Sequence, residues 1–131
     1  MSSRRALVIE DDADHQLLLR ETLEIGGYEV AAIDSAVGAM DAVRALRPHV
    51  IVLDLGLPLR SGTSLLAELK ADPTTADVPV VVVSGIAELL PEDRRAQAAA
   101  VLAKPFSPRV LFETVRAARW PRVVDGPDGQ P

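Results

Sequence analysis

The chain has 131 residues, 48% of them apolar, and a net charge of −5; that is enough for one domain with a real core and gives no basic surplus for a nucleic-acid surface. It has no cysteine, which excludes disulfides and thiolate metal sites and is consistent with a reducing compartment. No apolar run approaches the ~20 residues a membrane helix needs, and Met1–Ala6 leads into an apolar run far too short for a signal peptide, so the expected setting is the cytoplasm, without membrane contact.

Aromatic residues are confined to Tyr28, Phe106, Phe112 and Trp120, so the core must be aliphatic. The predicted elements alternate. Ala6–Ile9 reads as a short buried strand, and Ala13–Ile25 as a helix with Asp12 as N-cap and Gly26-Gly27 as stop. Tyr28–Ile33 is a second strand, Ser35–Leu46 a second helix ended before Pro48, and Val50–Leu53 a third strand. A loop at Leu57–Gly62 precedes a helix over Thr63–Ala71, broken by Asp72-Pro73. Val80–Val83 is a fourth strand, a short helix falls within Leu89–Ala99, and Ala100–Ala103 is a fifth strand. The last helix covers Ser107–Trp120, with Ser107 as N-cap and Pro108 in the first position. The remainder, 121–131, is rich in Gly, Pro and Asp and reads as a disordered or linker tail to a single domain over 4–120.

Five aliphatic strands alternating with five helices predict an α/β fold, a doubly wound parallel sheet with helices on both faces. In such sheets the functional crevice lies beyond the carboxyl ends of the strands. Four apolar runs end there in polar groups: Ile9 in Glu10-Asp11-Asp12, Leu53 in Asp54, Val83 in Ser84, and Ala103 in Lys104. A carboxylate closing a buried strand is costly without a partner. Glu10, Asp11 and Asp54 brought together would repel one another and raise each other's proton affinity. A hard divalent cation relieves this, and carboxylates, carbonyls and water suit Mg²⁺. A carboxylate beside Mg²⁺ can attack a phosphoryl group to give an aspartyl phosphate. Lys104 and Ser84 would then take charge on the phosphoryl oxygens.

The set Leu7-Val8-Ile9-Glu10-Asp11-Asp12, Leu53-Asp54-Leu55-Gly56-Leu57-Pro58, Gly62, Val82-Val83-Ser84-Gly85 and Lys104-Pro105-Phe106 resembles, in order and spacing, the receiver domain of bacterial response regulators. The resemblance spans about Arg4 to Arg119. It implies a flavodoxin-like strand order 2-1-3-4-5. It makes Asp54 the phosphoacceptor, Asp11 a direct Mg²⁺ ligand, and Glu10 a helper acting mainly through water. The Gly56 carbonyl completes the protein ligands, Ser84 is the switch hydroxyl, Lys104 its cationic partner, and the Lys104–Pro105 bond is cis. The implied role is signalling rather than enzymatic: a histidine kinase or histidine phosphotransfer protein donates the phosphoryl group, and an unknown output protein reads the result, with no direct nucleic-acid contact.

Two departures from the pattern concern readout. Val101 stands where the family has an aromatic three residues before the lysine, and Gln97-Ala98 stand where a glycine commonly precedes the fifth strand. Gly56 and Ile86, two residues beyond Asp54 and Ser84, occupy positions that tune phosphoryl lifetime in the family. A rival reading is a phosphate-independent pseudo-receiver that binds protein. An aspartate-nucleophile phosphatase is a weaker rival, because Gly56 stands where such enzymes carry a second aspartate. His15 and His49 have no ligand-spaced partner and read as structural or exposed, Trp120 reads as a packing or terminal residue rather than a binding platform, and Asp12 reads as a helix cap.

Overall fold

The computed structural model describes residues 4–57, 61–86 and 90–121. The proposed tail, apart from Pro121, lies outside the described residues, as do Pro58, Leu59, Arg60 and Leu89 of the predicted loop and short helix.

The elements are β1 (Arg5–Ile9), α1 (Ala13–Ile25), β2 (Glu29–Ile33), α2 (Ala39–Leu46), β3 (Val50–Asp54), α3 (Gly62–Ala71), β4 (Val80–Ser84), α4 (Glu92–Arg95), β5 (Ala100–Ala103) and α5 (Pro108–Ala117). The strands form one parallel sheet in the order β2-β1-β3-β4-β5. β1, β3 and β4 are the inner strands, and from Ala6 onward all their residues are buried, as their unbroken aliphatic runs require. One face of the sheet packs Leu7, Ile9, Ile51 and Leu53 against Val43 of α2 and Leu65, Leu66 and Leu69 of α3. The other packs Val8, Val52, Val81 and Val83 against Leu19 and Leu23 of α1 and Leu111 and Val115 of α5. Among the described residues, no helix is long and apolar enough to cross a membrane.

Local chemistry explains where the helices begin and end. Asp12 caps α1 by accepting from the backbone N–H groups of Asp14 and His15, and Ser61 and Ser107 cap α3 and α5 in the same manner. α2 starts four residues later than its periodicity predicts. The Ser35 hydroxyl accepts from Val37 N and holds a turn, and Gly38, at φ +79°, makes a left-handed entry to the helix. α5 stops at Ala117 rather than Trp120, because Ala118 turns extended. β3 and β4 each run one residue further than their apolar stretches, so Asp54 and Ser84 are themselves strand residues. The Lys104–Pro105 peptide is cis.

Candidate functional site

The register of the sheet sets the site. Ile9 pairs with Leu53, Asp54 with Val83, and Ser84 with Ala103, so the carboxyl ends of β1, β3, β4 and β5 finish together. Glu10 follows β1 directly, and its side chain is almost wholly buried, at 1% exposed. Asp54 closes β3 and is also buried, whereas Asp11 is exposed at the loop. One carboxylate oxygen from each of the three lies within 4.8 Å of the others.

The surrounding groups hold these acids in place. Lys104, just past β5, puts its Nζ 3.1 Å from Glu10 Oε1 and 3.8 Å from Asp54 Oδ1. Asp12 N donates to Glu10 Oε2 at 3.2 Å, and Gly56 N donates to Asp54 Oδ1 at 3.3 Å. Ser84 is buried; its Oγ accepts from Ile86 N and its carbonyl accepts from Lys104 N. Gly62 brings α3 against the end of β3. Its N–H donates to Leu55 O, and a Cβ there would sit 2.7 Å from Leu55 Cα and closer still to the Asp54 carbonyl oxygen. No side chain fits, so the glycine is what allows this approach.

The electrostatics follow from that packing. Burial raises the proton affinity of the Glu10 carboxyl and the Asp54 charge adds to it, while hydrogen bonds from Lys104 and Asp12 N oppose the rise. The Lys104 ammonium reaches two of the three carboxylates, Glu10 and Asp54, so the cluster keeps an excess of negative charge and offers carboxylate oxygens. That donor set fits a hard divalent cation such as Mg²⁺. Glu10, Asp11 and Asp54 are the side chains positioned to hold one.

A family model described as the response regulator receiver domain matches residues 6–116. The chain belongs to that family. It is 31% identical over 122 residues to the phosphate regulon transcriptional regulatory protein PhoB of Pseudomonas aeruginosa, with 89% of this chain and 52% of PhoB covered; the chain thus spans about half the length of that relative. It is 30% identical over 116 residues to the polar-differentiation response regulator DivK of Brucella anthropi, covering 87% of this chain and 94% of DivK. A crystal structure of a sensor protein from Polaromonas sp. JS666 superposes with a TM-score of 0.80 at 35% identity, covering 88% of this chain and 94% of that one. The strand order predicted from the resemblance is therefore the order of a receiver fold, in a two-component signalling module.

The receiver's acids, hydroxyl and lysine all lie at one sheet edge, where their places in the sequence put them. Two neighbours were not foreseen. His15, structural or exposed by its sequence pattern, has its Nδ1 3.5 Å from Glu10 Oε1. Gln16 Nε2 donates to the Glu10 carbonyl at 3.0 Å. The usable signal was helical direction: side chains in a first turn lean back over the preceding loop, here the loop that carries Glu10. Val101 is half-buried and packs on the α2/α3 side of the sheet. Ile86 is exposed at 47%, beside the site.

Proposed function

We propose that residues 4–120 form a phosphoacceptor receiver in which Asp54 takes a phosphoryl group from a histidine kinase or histidine phosphotransfer protein. The observation that carries this reading is the convergence of Asp54, Glu10 and Asp11 within 4.8 Å of one another, with Lys104 Nζ 3.8 Å from Asp54. In the transfer, a carboxylate oxygen of Asp54 forms a bond to phosphorus as the donor's N–P bond breaks, and the imidazole leaves with the electron pair. Lys104 supplies a fixed positive charge toward the phosphoryl oxygens, and the Ser84 hydroxyl supplies a donor once it rotates away from Ile86 N. Glu10, Asp11 and Asp54 would hold Mg²⁺, with the Gly56 carbonyl as a backbone ligand; when bound, the metal offsets charge on the phosphoryl oxygens. The signal then passes through Ser84 to the α4–β5–α5 face and on to an output protein in the cytoplasm.

Incubation with phosphoramidate and Mg²⁺ tests this by intact mass. The expected result is a gain of one phosphoryl group that disappears in Asp54→Asn. A gain that survives the substitution would move the acceptor elsewhere. No gain in the native chain would favour the pseudo-receiver, a reading to which Val101 lends weight.

A further inference from the structure

The opposite pole of the sheet carries a second concentration of charged side chains, three arginines among three aspartates. A cavity of about 690 Å³ opens there, between the C-terminal end of α2 and the segment joining α3 to β4. Arg5, Arg44, Arg47 and Asp77 line it, and Val43, Pro48 and Val78 give it an aliphatic wall. We propose that this cavity binds a nucleoside polyphosphate, with the phosphates on the three guanidinium groups and the base against the aliphatic wall.

Donor arithmetic supports the anion. A guanidinium has five N–H groups and no acceptor. Arg5 uses two on the last carbonyls of α2, from Nε to Leu46 O at 3.0 Å and from Nη2 to Arg47 O at 2.7 Å. Arg44 uses three, on Thr74, Asp41 and Asp72. Among the described residues, the Arg47 side chain has no hydrogen-bond or ion-pair partner, although it lines the same cavity. Each arginine therefore keeps N–H groups for a ligand, and planar guanidinium groups match phosphate oxygens in pairs. Of the acids, Asp41 and Asp72 are occupied by Arg44, and Asp77 lines the cavity itself, so the donors left open to a ligand are chiefly those of Arg5 and Arg47.

The backbone supplies a second, independent observation. Arg47 sits at φ +49°, ψ +59°, and among the described residues it alone combines a side chain with a positive φ. The left-handed C-cap favours glycine, so a long side chain there is held at a steric cost. Such conformations cluster at functional sites and persist where the surroundings hold them, here through Arg47 N donating to Val43 O and Arg5 Nη2 donating to Arg47 O. The volume lies within the range of small-molecule sites.

The two observations give one decisive variant. Arg47→Gly removes the guanidinium and relaxes the backbone, so it separates binding from folding. Titration calorimetry is run with ATP, pyrophosphate and adenosine in EDTA, so that the acidic pole takes no metal-bound phosphate. ATP is expected to bind, more weakly as salt rises; pyrophosphate binds more weakly than ATP, and adenosine does not bind. In Arg47→Gly the ATP affinity falls by about tenfold or more while the Tm holds or rises; Arg47→Lys falls in between. The proposal is overturned if ATP gives no binding, if adenosine binds as well as ATP, if Arg47→Gly keeps full ATP affinity, or if Asp54→Asn abolishes binding and so places the nucleotide at the acidic pole.

Discussion

The Nζ of Lys104 donates to Oε1 of Glu10 across 3.1 Å, joining two residues 94 positions apart at the ends of β5 and β1. The same oxygen faces His15 Nδ1, and the other carboxylate oxygen accepts from Asp12 N. Glu10 is thus fixed on both oxygens, and its orientation sets where Lys104 stands relative to Asp54. Glu10→Gln keeps the shape and removes the charge that draws Lys104. Mg²⁺ affinity is expected to fall roughly 10–100-fold, as for loss of a group that orients metal ligands, and calorimetric titration of Mg²⁺ checks it. An unchanged affinity would show that Asp11 and Asp54 hold the ion without Glu10.

Gly62 gives a stability prediction with a site consequence. A methyl group at this position meets the backbone of Asp54 and Leu55, which cannot yield as a side chain can. Gly62→Ala should destabilise the fold by about 1–3 kcal/mol, the range for forcing extra atoms into packed structure. Urea denaturation reads the stability, and the rate of phosphoryl uptake at Asp54 should fall with it, because the clash displaces the end of β3.

Lys70 and Trp120 give a pH prediction. Lys70 Nζ donates to Ala76 O and Val78 O and lies 4.1 Å from the centroid of the Trp120 ring. Burial lowers its pKa to about 8 from 10.5. In the window between these values the unfolded chain holds the proton more firmly, so this residue makes stability rise with pH from about 8 to 10.5 and leaves it flat below. Trp120 is the single tryptophan, and its emission, excited selectively, should titrate with a midpoint near 8 and lose that transition in Lys70→Met. A midpoint near 10.5 would mean that the two carbonyls and the indole face, which favour the ammonium, outweigh burial.

Ser107→Ala tests the last helix. The Ser107 hydroxyl accepts from Val110 N, and Pro108 follows in the first turn. Loss of the cap should cost ~1 kcal/mol. Because α5 buries Leu111 and Val115 against the sheet, the loss should appear in the global denaturation midpoint rather than as local fraying alone.

The inner strands were legible because burial on both faces leaves an unbroken aliphatic run, and the acids, hydroxyl and lysine stood out as the polar ends of those runs. α1 was legible to the residue, from Asp12 at one end and Gly26-Gly27 at the other. α2 was not, because the turn at Ser35 and the left-handed Gly38 compete with a helical pattern that continues through them. α4 has four residues and none buried, so it left no apolar period to find. The meeting of Arg5 with Arg44 and Arg47 depends on how segments come together, and no sequence spacing encodes it, whereas the contact of His15 with Glu10 follows from the backward lean of a first-turn side chain.

β1 runs from Arg5 to Ile9, and β3 runs beside it to Asp54, so the clustered carboxylates sit at one end of the strands, while at the other Arg5, Arg44 and Arg47 stand among Asp41, Asp72 and Asp77. At about 3.3 Å per strand residue the two poles stand on the order of 15 Å apart. Excess negative charge is therefore concentrated at one end of the molecule. In the field of a basic partner it turns its carboxylate end forward before contact, so association should be fast, oriented and strongly slowed by salt.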